Sequence, residues 1–148
     1  MNDEYLTPEE LKSALRTATM GRITDSDETL ARVSIAAAIE EAKGYLRAKY
    51  DTTKIFSARG DERSALVLEH CKSIAVWYLL RRSNADVIYE KARDYYTMAV
   101  EWFRLVAGIG TGGGTIAPDL PLIQGADGTV STKMKMGSNP KFKHDFEY

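Results

Sequence analysis

The run Leu66-Val67-Leu68-Glu69-His70-Cys71-Lys72-Ser73-Ile74-Ala75-Val76-Trp77-Tyr78-Leu79-Leu80-Arg81-Arg82 decides the fold. Its apolar set is Leu66, Val67, Cys71, Ile74, Ala75, Trp77, Tyr78 and Leu79. These residues return at three- and four-residue intervals, which is the period of an α-helix and not of a strand. The stripe is wider than one neighbour can cover. A helix from about Asp61 to Arg82 is therefore expected at the centre of a bundle, or against a second subunit on its other face.

The same period extends in both directions. Upstream, Leu30, Val33, Ala37, Ala38, Ile39, Ala42, Tyr45 and Leu46 predict a helix from near Asp27 to about Tyr50, roughly 35 Å long. Before it, Thr7-Pro8-Glu9-Glu10 reads as a helix start. Thr7 can accept a backbone N–H, proline fits the first helical position, and Glu10 can reach back in a capping box. That first helix is short, to about Ala18, with Leu11 and Leu15 on one face, and a turn follows through Gly21 and Thr24-Asp25-Ser26-Asp27. Asp51 to Gly60 breaks the pattern and is expected to be a loop, held to the core by Ile55 and Phe56. Downstream, Ser83-Asn84 supplies a stop and a new cap. A fourth helix then runs to about Ala107 through Val87, Ile88, Ala92, Tyr95, Tyr96, Ala99, Trp102, Phe103 and Val106. Gly108 is placed to end it in a left-handed conformation.

The fold class is thus all-α: a small bundle of about four helices, two to three of them long, over residues 1–108. Residues 109–115 form a glycine-rich hinge, and 116–148 an extended C-terminal arm. The arm could reach on the order of 130 Å. It carries strand-like alternation: Met134 and Met136 face away from Lys133 and Lys135, while Phe142, His144, Phe146 and Tyr148 share a parity opposite Lys143, Asp145 and Glu147. Leu120–Gln124 and Thr129–Met136 could pair as a β-hairpin across the Asp127-Gly128 turn. Disordered tails are poor in aromatics, whereas this one has two Phe and one Tyr in its last seven residues. The arm is expected to bind a partner chain, by adding a strand to an exposed edge, through Met134, Met136, Phe142, His144, Phe146 and Tyr148; the alternatives are that it folds back on its own domain or is disordered.

Bulk properties narrow the function classes. A chain of 148 residues, 44% hydrophobic and 28% charged, fills one ordinary domain plus an appendage. Twenty Lys and Arg against 21 Asp and Glu leave a net charge of -1, so no global field draws the protein to nucleic acid. Arg81 and Arg82 form the one basic spot singled out, and a helix C-terminus attracts such residues on its own account. Cys71 is the only cysteine, so neither an internal disulfide nor a cysteine cage for zinc can form within one chain. The acidic start Met1-Asn2-Asp3-Glu4 lacks the features of a signal peptide, and no apolar run is long enough for a membrane span. The expectation is a soluble protein, cytoplasmic at birth.

Chemistry is not apparent. Gly108-Ile109-Gly110-Thr111-Gly112-Gly113-Gly114 follows a helix and opens an arm, whereas nucleotide-binding glycine loops follow a strand and open a helix. His70 and Cys71 are adjacent on a helix and point about 100° apart, so they do not form a nucleophile–base pair. Asp25, Asp27 and Glu28 lack the glycine and terminal glutamate of a calcium loop. Trp102-Phe103 and Tyr95-Tyr96 read as core or subunit interface before base-stacking platforms. No catalytic residue, metal or cofactor is expected.

Several segments resemble a small Mu-like phage family of unknown function: Tyr5-Leu6-Thr7-Pro8-Glu9-Glu10-Leu11, Gly44-Tyr45-Leu46-Arg47-Ala48-Lys49-Tyr50, Trp77-Tyr78-Leu79-Leu80-Arg81-Arg82 and Tyr95 to Trp102. That family is itself similar to the adaptor proteins of tailed-phage head–tail connectors. The resemblance covers roughly residues 5 to 108. It implies a non-enzymatic virion protein at the head–tail junction, forming a homo-oligomeric, dodecameric ring beneath the portal protein. Further implied partners are neighbouring copies and tail-side connector proteins, with DNA passing through the lumen without sequence-specific contact. The alternatives are another head-completion or tail-terminator protein, or a helical nucleic-acid-binding regulator.

Overall fold

The computed structural model describes residues 4–17, 28–82, 89–108 and 118–124. Among these, five α-helices occur: α1 (Pro8–Thr17), α2 (Glu28–Leu46), α3 (Thr52–Ser57), α4 (Ala65–Arg82) and α5 (Tyr89–Ala107), with a 3-10 turn at Gly60–Glu62. The fold is all-α. Helix α4 is central, packing against α2 and α5 along its length and against α1 near its start. The turn expected at 18–27, the cap at 83–84 with Val87 and Ile88, the hinge at 109–115 and the arm beyond Gln124 lie outside the described residues.

The capping box forms at α1. The Thr7 backbone N–H donates to Glu10 Oε2 at 3.1 Å, and the Glu10 N–H donates to Thr7 Oγ1 at 3.3 Å. Glu10 then takes a second role. Its carboxylate receives two bonds from the Arg63 guanidinium, at 2.8 and 3.0 Å, and the same guanidinium reaches the carbonyls of Tyr5 (2.8 Å) and Gly60 (2.9 Å). One arginine thereby ties the N-terminal segment to the approach of α4. The Arg63 partnership holds the Glu10 carboxyl down at about 2, against burial, which pushes the other way.

Several expectations need correction. Asp51–Gly60 is not simply a loop: Asp51 accepts the Lys54 N–H on its side chain (3.2 Å) and starts α3, which buries Ile55 and Phe56. Six residues are too few to display a helical period, so only the cap and the two apolar residues hint at it. The central helix begins at Ala65 and not near Asp61, because Gly60 at a positive φ of 57° opens a 3-10 turn and Arg63 is extended. Ser64 caps α4 instead, its hydroxyl accepting the Val67 N–H at 3.5 Å. Finally, Val33 is 47% exposed, while Ser34 is fully buried in its place. Ser34 is satisfied there by donating to the Leu30 carbonyl at 2.8 Å.

Small residues set the spacing of the core. Ala38, Ala42, Cys71 and Ala75 are completely buried, which lets α2 and α4 approach closely. Phe103, Leu46, Ile74 and Leu79 fill the remaining volume. Gly108 ends α5 at a φ of 74°, as expected.

The start of the arm returns to the bundle. Helix α2 stops at Leu46 and not at Tyr50, because Tyr50 forms an antiparallel bridge with Leu122. The Asp51 N–H donates to the Pro121 carbonyl at 2.8 Å and the Ile123 N–H to the Lys49 carbonyl at 3.3 Å. Leu120 is buried beside them. Residues 118–124, expected to stand apart from the bundle as the start of a partner-binding arm, are therefore part of its surface. The hairpin partner proposed for them, Thr129–Met136, lies outside the described residues.

Candidate interaction surface

Helix α5 carries two apolar rows. Ala92, Ala99, Phe103 and Val106 are buried in the core. Tyr95, Met98, Trp102 and Leu105, at the same three- and four-residue spacing, make a second row beside it. Helix α4 offers a matching row of Leu66, His70 and Trp77. Ring contacts join the two: His70 stacks on Trp102 at 4.6 Å, and Trp77 on Tyr96 at 5.6 Å. Both tryptophans of the chain are thus in one seam. Leu66 (54%), Tyr95 (49%) and Met98 (61%) remain exposed along it.

Beneath the seam, Glu41 of α2 ties three helices together. It accepts the Tyr96 hydroxyl at 2.9 Å and the Tyr78 hydroxyl at 3.3 Å. Burial, and then the Glu41 carboxylate, push both phenols above the usual tyrosine value, Tyr96 by a wide margin. They stay protonated and act as donors. This cluster holds α4 and α5 in register, which fixes the seam.

Residues 5–112 match the protein family described as Bacteriophage Mu, Gp36. The chain belongs to that family. The match spans the whole described bundle from Tyr5 to the end of α5, so the resemblance seen in the capping box and helix ends extends over most of the chain. Among curated proteins and among solved structures, nothing matches.

The sites expected from sequence fare unevenly on this Gp36-family bundle. Arg81 and Arg82 are both exposed at the end of α4. Arg82 is partly engaged, with its guanidinium 5.7 Å from the Tyr78 ring and bonded to Ser34 Oγ at 3.4 Å. Met134, Met136, Phe142, His144, Phe146 and Tyr148 lie outside the described residues. Cys71 is in the core, its thiol pushed up to about 12 by burial, which leaves it unreactive near neutral pH. Among the described residues, no three His, Cys, Asp or Glu side chains converge to hold a metal, and no helix is long and apolar enough to cross a membrane. Two shallow grooves run along the outer side of α2, the larger lined by Glu40, Lys43, Gly44 and Arg47.

Sequence reasoning missed the seam as a site. Its signal is present in the width of the α4 and α5 stripes, but the spacing counts Tyr95 with the core residues in a single apolar set and gives His70 no place in either row. In the fold His70 is half-buried, and burial lowers its pKa below the ordinary histidine value. The neutral ring is therefore favoured in the folded state. The stabilisation from its lowered pKa is fully present above the unfolded value of about 6.5 and is lost as pH falls through the lower folded value. Urea unfolding between pH 7 and 5 should show stability declining on the acid side, and His70→Phe should flatten that decline. An unchanged slope in the variant would contradict the assignment.

Proposed function

We propose that this Gp36-family protein is a structural adaptor of the phage head–tail connector, forming a ring below the portal and contacting portal, neighbouring copies and tail-side proteins. The observation carrying this reading is the seam of partly buried rings edged by exposed Leu66, Tyr95 and Met98, on a small helical bundle from a phage protein family. Monomeric proteins that work alone rarely leave large apolar side chains in such a row uncovered, and extended apolar patches mark interaction surfaces. Balanced charge supports a role beside DNA without sequence-specific grip. The C-terminal arm, with its alternating aromatic end, supplies a second contact, by which the ring holds the portal.

Removal of the gene from the phage tests the reading. The expected result is DNA-filled heads and free tails that fail to join, with joining restored by the protein supplied in trans. A chain lacking residues 139–148 should fail to restore joining while keeping its helical circular dichroism. Normal tailed particles from the deletion phage would overturn the proposal. Tails of aberrant length on joined particles would point to a tail-terminator role.

A further inference from the structure

The seam between α4 and α5 has an acidic border. Glu90, Asp94 and Glu101 are exposed on α5, at positions next to the row of Tyr95, Met98 and Trp102. Glu69 is exposed beside it on α4 and pairs with Lys72 at 3.3 Å. Arg93 and Arg104 fall on the other side of α5, beyond the core row. Lys91, also exposed, continues the row toward the start of α5, so the surface is apolar from Tyr95 onward and negative along its edge.

One stretch of this chain has the complementary character. Between Gly128 and His144 there are four lysines and no Asp or Glu. Lys133, Lys135, Lys141 and Lys143 share one parity, while Met134, Met136 and Phe142 share the other. In extended conformation, such a segment presents a greasy face and a positive face. We infer that residues 133–143 of one copy dock on the α4–α5 seam of another copy. Met134, Met136 and Phe142 enter the aromatic row, and the lysines face its acidic border.

Reach and exposure favour docking between copies. From Gln124, fixed near Tyr50, the eight residues 125–132 span on the order of 26 Å when extended. That is about the length of one helix of the bundle, enough to cross to an adjacent subunit. Leu66, Tyr95 and Met98 are about half exposed or more, so the described residues leave the seam open. The inference rests on the ring reading above and adds to it which surfaces meet.

Charge exchange in the full-length chain tests it. A seam variant carries Glu90→Lys, Asp94→Lys and Glu101→Lys; an arm variant carries Lys133→Glu, Lys135→Glu, Lys141→Glu and Lys143→Glu. Association is followed by sedimentation velocity over a concentration series. Tryptophan emission is read alongside, since Trp77 and Trp102 both report on the seam. Wild type should associate with a blue shift, and each variant alone should need about tenfold more protein, the effect of several rim charge pairs lost together. Mixing the two variants should restore association and emission.

Restoration only when both sets sit in one chain would show docking within a copy and overturn the inference. An arm variant that associates like wild type would also overturn it, and would assign the seam to bundle–bundle contact while leaving the ring reading standing. A wild type that stays monomeric with constant emission into the hundreds of micromolar would overturn it as well.

Discussion

Phe103→Ala is expected to cost about 3–5 kcal/mol, the range for removing a large aromatic ring from a packed core. Phe103 is completely buried. Its ring stacks with Tyr45 at 6.0 Å, meets Trp102 edge-on at 5.1 Å and lies 6.1 Å from His70. It therefore joins α2, α4 and α5 at one point, and it is the largest fully enclosed side chain among the described residues. A domain of this size is stable by only about 5–15 kcal/mol, so the variant should sit close to its unfolding threshold. Urea titration followed by circular dichroism should give a lower midpoint with the same slope. Leu66→Ala, on the exposed edge of the seam, should change stability by no more than about 0.5 kcal/mol. A Phe103→Ala loss below about 1 kcal/mol would mean the three helices do not meet there.

Arg63→Ala should be the next most damaging change, at about 3 kcal/mol. The guanidinium makes four hydrogen bonds, three of them to the N-terminal segment, and removing it strands the Glu10 carboxylate and the Tyr5 carbonyl. Glu10 is about a third exposed in its side chain, so solvent screening limits the coupling between the pair to about 1–2 kcal/mol in a double-mutant cycle. The pH dependence follows from the sign of the shift. Glu10 titrates near 2 in the fold against an ordinary 4.5. Its contribution is complete above about pH 4.5 and disappears as pH falls from there toward 2. Acid titration of Arg63→Ala should lack that component. Equal acid sensitivity in variant and wild type would remove the pair from the account.

These two residues also mark where sequence reading succeeds and where it stops. Thr7-Pro8-Glu9-Glu10 announces its helix because the cap is made within four residues, and the structure repeats it bond for bond. The long helices α2, α4 and α5 are legible because each displays its period several times over. Arg63 is not legible, since its partner Glu10 is 53 positions away and nothing local points to it. The end of α2 is misplaced for the same reason: Tyr50 leaves the helix to pair with Leu122, a contact set by the tertiary fold. Val33 and Ser34 show a finer limit. A one-residue rotation puts a hydroxyl in the core and an isopropyl group outside, and the hydroxyl is satisfied there by donating to the Leu30 carbonyl and accepting from Arg82. The seam lies between these cases. Its rows can be counted in the sequence, but which row the neighbouring helices leave uncovered is decided by how α4 and α5 cross.

Electron cryomicroscopy of the mature phage particle bears most directly on the connector role. The account predicts copies of the α1–α5 bundle arranged in a ring between the portal and the first tail component, with the α4–α5 seam turned toward the neighbouring subunit. Particles in which that layer is built entirely from other chains, with this protein absent or located elsewhere, would contradict it.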